Sequence, residues 1–132
     1  MRYSEFNENL TWAVDSDMNK ASPFSQKDQK DSENVVIWVD IRKLLNATNT
    51  DQKLDLDDLS AGENAIKGRV EKAIRHFQDG NYMDPSLVSL GYRGIDFTDG
   101  RHRLVAAYRL GEKIAPIIVP VEQAQEIQEL LK

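Results

Sequence analysis

The sequence predicts an α+β domain, on three observations. Two β-branched runs of strand length, residues 35–41 (VVIWVDI) and 114–119 (IAPIIV), stand at either end of the apolar part of the chain. Between them, apolar residues recur at helical spacing in two segments, one closing on Phe77 and one running from Leu104 to Leu110. Two further strand-like runs, residues 86–90 and 95–98, are joined by Gly91-Tyr92-Arg93-Gly94, the composition of a hairpin turn.

The chain has 132 residues, 40% hydrophobic and 30% charged, which suits one soluble core rather than two domains at roughly 100 to 200 residues each. Residues 1–34 are expected to form a polar N-terminal extension and residues 35–132 the domain. Within the extension Leu10, Trp12 and Val14 alternate, as in a short edge strand or a docked aromatic. Residues 15–34 hold too few apolar groups to bury and predict a loop or disordered segment, with Phe24 and Trp12 as anchors or partner contacts.

The domain opens on the 35–41 strand and a short helical turn at Arg42-Lys43-Leu44-Leu45. Residues 46–59 form a polar connection whose acids, Asp51, Asp55, Asp57 and Asp58, lack the glycine and terminal glutamate of a calcium loop. A helix is predicted over residues 60–78, with Ser60 and Glu63 at capping-box spacing and Ile66, Val70, Ala73, Ile74 and Phe77 on one face. Glu63, Arg69 and His76 lie on it as surface or boundary residues, and Lys72 faces outward. After the hairpin a helix starts near Arg101 and stops at Gly111, a C′ glycine. In the next strand Pro116 favours an edge or strand-start position. Val121, Ala124, Ile127, Leu130 and Leu131 mark a closing amphipathic helix.

Composition removes several functions. With no cysteine, disulfides, thiolate catalysis and cysteine-based zinc sites are excluded. A net charge of −5 argues against broad nucleic-acid binding, which needs a basic face. The longest apolar stretch, residues 114–120, falls far short of the roughly 20 residues of a membrane span. Glu5 and Glu8 interrupt any signal-like apolar region, so no secretory signal is expected, and the lack of cysteine makes a cytoplasmic location the expectation.

The chemistry concentrates at Asp99-Gly100-Arg101-His102-Arg103, where a strand turns into a helix. Asp99 has the side chain of an N-cap and Gly100 permits a tight turn. Cations in the first helical turn are disfavoured by roughly 0.3 to 1 kcal/mol each, so a purely structural design would place acids there. An anion reverses the balance: free amides, two guanidiniums and an imidazole converge on phosphate, sulfate or carboxylate. Gly100, Arg101, His102 and Arg103 are therefore the candidate phosphate ligands.

The order of strand, helix, hairpin, Asp-Gly-Arg-His-Arg helix, strand and helix resembles the ParB/sulfiredoxin-like superfamily over residues 35–131. Its sharpest part is residues 99–104, followed by Ala106-Ala107, Leu110-Gly111 and Ile114-Ala115-Pro116-Ile117-Ile118-Val119. The resemblance implies a small mixed sheet packed against helices and a helix start that holds nucleotide phosphates, with ATP or CTP and Mg²⁺ as the expected ligands. Sulfiredoxins carry a reactive cysteine where this chain has Arg101, so their chemistry is excluded. With Lys132 last in the sequence, a complete chromosome-partitioning protein is not expected either.

Three functions follow as expectations. In a nucleotide-dependent phosphotransferase or phosphohydrolase, Arg101 and Arg103 would neutralise developing charge, His102 would bind phosphate or shuttle a proton, Asp99 or Asp96 would hold Mg²⁺, and Glu63 would be the base. In a non-catalytic regulatory or protein-interaction module, the same pocket would bind without turnover and the arm with Trp12 would meet a protein partner. A nuclease, as in some plasmid or phage relatives, ranks last.

Overall fold

The computed structural model of the protein describes residues 10–132, so Glu5 and Glu8 lie outside the described residues. Among those described, no helix is long and apolar enough to cross a membrane. The elements are α1 (Pro23–Lys30), β1 (Asn34–Asp40), α2 (Ile41–Asn46), α3 (Arg69–Gln78), β2 (Ser86–Gly91), β3 (Gly94–Asp99), α4 (Arg101–Arg109), β4 (Ile114–Pro120) and α5 (Ala124–Leu130), with short 3-10 helices at Asp15–Lys20 and Val121–Gln123. This is the expected α+β class, built on one mixed sheet of four strands in the order β1-β4-β2-β3.

β4 lies inside the sheet, antiparallel to β1 along its whole length and parallel to β2 at Ile117 and Ile118. The expectation that Pro116 marks an edge or a strand start is therefore corrected. The bonds Ile41 N–H to Lys113 O (2.9 Å) and Val121 N–H to Glu33 O (2.7 Å) set the phase of the β1–β4 ladder. Odd-numbered β1 residues bond to β4, and Pro116 faces Trp38 in a pair without ladder bonds. On the β2 side pairing starts one residue later, so the missing N–H costs nothing in either ladder.

Residues 15–34 are also corrected, from loop or disorder to a 3-10 turn and α1. Hydrogen bonds hold them more than burial does, since only Ala21 and Ser25 among them are buried. Ser22 caps α1 by accepting the Ser25 N–H at 3.2 Å, with Pro23 opening the helix. The Ser22 N–H reaches Asp84 Oδ1 (2.9 Å), and Gln29 Nε2 reaches Ala13 O (2.9 Å). Trp12 is the anchor: it is 6% exposed, meets Phe77 edge to face at 5.2 Å, and is flanked by backbone bonds between Thr11, Ala13 and Met83. Phe24, by contrast, stays exposed.

The helix expected over residues 60–78 is α3 alone. Ala61, Gly62 and Gly68 have φ of 67°, 94° and 86°, and a right-handed helix cannot continue through left-handed residues. The capping box is not formed either, because Ser60 bonds to Asp58 through both its N–H and its Oγ. Val70 and Phe77 are buried as the periodicity predicts, whereas Ile66 stays largely exposed.

The connection between α2 and α3 does more than span a gap. Thr48 and Leu54 are buried, Asn49 N–H bonds Ile95 O, and Ile95 N–H bonds Ala47 O. Gln52 completes the cover of the β3 edge: its Oε1 accepts the Phe97 N–H at 2.8 Å and its Nε2 donates to Phe97 O at 3.0 Å. Inside, Ile37, Val88, Ile95, Leu104, Ile117 and Ile127 belong to one continuous core with most of the other buried apolar groups.

Candidate functional site

The β3 to α4 junction lies against α3, and the space between them is a cleft of about 210 Å³ lined by Arg69, Lys72, Ala73 and His76 of α3, Met83, and Asp99, Gly100, His102 and Arg103. Asp99 is not the helix cap. Gly100 holds the N-cap position at φ 97° without a side-chain capping bond, and Thr98 is the residue left unpaired where Leu87 and Val88 face Asp99 and Phe97. That bulge and the left-handed glycine turn the chain sharply, which leaves Asp99 free to meet Arg103 at 3.2 Å.

Arg103 is tied on two sides. Its Nη1 donates to Asp84 O at 2.9 Å, while its Nη2 holds Asp99. The charge of Asp99 is thereby offset inside the cleft. Arg101 turns the other way, donating Nη1 to Gln52 O at 2.8 Å, and it does not line the cleft. The expected convergence of both guanidiniums is therefore corrected to Arg103 alone.

His102 is buried, and its Nε2 accepts the Ile66 N–H at 2.8 Å. An acceptor Nε2 places the ring proton on Nδ1. Burial first, then Arg101 and Arg69, push its pKa down from 6.5 to about 4. A neutral imidazole occupied by a backbone amide is a latch between α4 and the loop before α3, rather than the cationic phosphate ligand or proton shuttle expected. The latch has a pH signature. Between about pH 6.5 and 4 the unfolded chain takes up a proton that folded His102 refuses, so stability is highest above this window and falls as pH drops through it. The expected loss is about 3 kcal/mol, levelling off below about pH 4, read by urea denaturation across that range. Stability that stays flat there would mean His102 titrates normally.

The remaining candidates do not join the cleft. Asp96 accepts from Asn49 Nδ2 at 3.1 Å and its carboxylate lies across Gly91. Glu63 lines a separate hollow with Arg42, Lys53 and Asp57. Asp96 and Asp99 thus share no site, Asp99 is engaged by Arg103, and the described residues hold no cluster of three or more potential metal ligands.

Sequence reasoning passed over the α3 wall. Arg69, Lys72 and His76 stand at i, i+3 and i+7, one face of a helix, and that spacing was the available signal. His76 Nε2 donates to Tyr82 O at 2.8 Å. Among the described residues Arg69 and Lys72 have no ion-pair partner. The site defines a class: an α+β protein with a cationic cleft at a helix–helix junction. No family model, curated protein or solved structure matches the chain.

Proposed function

We propose that the chain is a phosphate-binding module of ParB/sulfiredoxin-like type, which takes the phosphate end of a nucleotide in the cleft between α3 and α4 and binds it without turnover. The observation that carries this reading is the meeting of Arg69 and Lys72 with Gly100 and Arg103 at the start of α4 across one small cleft. At about 210 Å³ the cleft is smaller than the roughly 300 to 1,000 Å³ of whole-ligand pockets. It suits a phosphate or diphosphate, with a nucleoside of ATP or CTP lying outside. Arg103 contributes by shaping the wall and neutralising Asp99.

Binding without turnover is favoured over phosphotransfer or hydrolysis because none of the expected catalytic residues stands free in the cleft, Asp99 being paired with Arg103. His102 is held neutral with its acceptor nitrogen in use, and Glu63 is elsewhere. A protein-interaction role through the N-terminal arm would use exposed Phe24 rather than buried Trp12.

The test is a thermal-shift and calorimetric titration with inorganic phosphate, ATP and CTP, each with and without Mg²⁺. Native protein should gain stability with rising ligand by mass action, with little dependence on Mg²⁺. Arg69→Ala and Lys72→Ala should each weaken binding about tenfold or more, the worth of one charge-assisted hydrogen bond, while the unliganded Tm stays close to native. No stabilisation by any of the three at millimolar concentration overturns the reading, and so does binding that survives both substitutions.

A further inference from the structure

The two margins of the sheet are treated differently. β3 is covered by Gln52 and by the backbone around Thr48. Among the described residues β1 has no comparable cover: the phase of its ladder with β4 turns the N–H and C=O groups of Val36 and Trp38 away from the sheet, and only the Asn34 N–H at its start is engaged, by Asp31 O at 3.0 Å. No hydrogen bond links the backbone of Val36 or Trp38 to any other described residue. Trp38 is 49% exposed and, across β4, Ile114 is 52% exposed. A straight seven-residue margin without lysine, proline or bulge is what folded proteins avoid leaving open, because it templates pairing with another strand.

We propose that β1 pairs antiparallel with β1 of a second copy of this chain about a two-fold axis at Ile37. Only this register uses the whole strand. It sets the free outward groups of Val36 in a hydrogen-bonded pair with Trp38 of the second copy, and repeats that pair by symmetry. The charges argue for a second copy as the occupant. The chain entering β1 carries exposed Asp31 and Glu33, and the chain leaving it carries exposed Lys43, with Lys113 beside it on the β4 side. An antiparallel two-fold lays each acidic end against the basic end of the other copy, whereas a parallel pairing would set like against like. Trp38 then covers Val36 of the second copy, an aromatic to β-branched cross-strand pair.

Pairing through one strand lies at the small end of interface sizes, below about 1,200 Å² in total, so the dimer is of modest affinity. Sedimentation equilibrium of the full chain from about 1 μM to 1 mM, the span of such affinities, should show a monomer–dimer equilibrium that weakens with added salt. Trp38→Lys, at an exposed position, should weaken it about tenfold or more with an unchanged circular dichroism spectrum. Glu33→Lys and Lys43→Glu should each weaken self-association about three- to tenfold. An equimolar mixture of these two variants should restore it, because each altered end then meets an opposite charge. A chain monomeric throughout overturns the proposal, as does a dimer indifferent to Trp38→Lys or a mixture no stronger than its components.

Discussion

Gly100→Ala is expected to lower the unfolding free energy by about 3 kcal/mol, the sum of two penalties at one atom. With φ at 97°, an alanine there sits in a backbone region that costs an L-residue roughly 1 to 2 kcal/mol. Its Cβ would also lie 2.5 Å from Ser86 Oγ and 2.8 Å from Ser86 Cβ. Ser86 is fully buried on β2 and its Oγ–H donates to Gly100 O at 2.8 Å, so any movement that relieves the clash also loses that bond, about 1 kcal/mol. Urea denaturation reads the loss. A double-mutant cycle separates its parts: Ser86→Gly should cost less in the Gly100→Ala background than in the native one, because it removes the atom that is struck. A Gly100→Ala variant within about 0.5 kcal/mol of native would mean that the turn relaxes freely.

His102→Ala should cost a similar amount, about 3 kcal/mol, by a different route. It removes the acceptor of the Ile66 N–H, an unmet donor worth about 1 to 3 kcal/mol, and empties the space of a ring that is only 7% exposed. Two further readouts mark the latch. Amide exchange at Ile66 and its neighbours should accelerate more than exchange in β4, since the segment before α3 loses its tie to α4. The fall in stability between about pH 6.5 and 4 should vanish with the imidazole. His102→Gln, which keeps a side-chain acceptor, should recover part of the stability and none of the pH dependence. A His102→Ala variant as stable as native and equally sensitive to acid would remove the latch from the account.

What was legible in the sequence follows the range of the forces involved. β1 and β4 were visible because a β-branched run of strand length is a local signal, and Gly111, at φ 104°, ended α4 as a C′ glycine should. The central place of β4 was not visible, since it depends on pairing with β1 far away in the chain. α1 was missed because its tie to the body runs from Ser22 to Asp84, a side-chain bond across 62 residues, while its own sequence is almost wholly polar. At residues 60–68 the apolar spacing suggested helix, and positive φ at Ala61, Gly62 and Gly68 overrode it.

The site divides along the same line. Asp99, Gly100, His102 and Arg103 were expected together and do line one cleft. The direction of Arg101 was hidden because its acceptor, Gln52 O, lies 49 residues earlier. The state of His102 was hidden because its pKa is set by burial and by Arg101 and Arg69, and burial is a tertiary property. Arg69 and Lys72 were in plain view as residues. Only the packing of α3 on α4 brings them to the same cleft as Gly100.

Gln52 has a consequence for what this chain can build. Its amide satisfies both backbone groups of Phe97 as a neighbouring peptide would, so the sheet is terminated on the β3 side by a side chain. Growth by strand addition then has a single direction. An assembly made through the opposite margin consumes the one growing end of each copy and stops at two chains, with a glutamine seal at either extremity. A filament needs two growing ends per molecule, and Gln52 removes one of them.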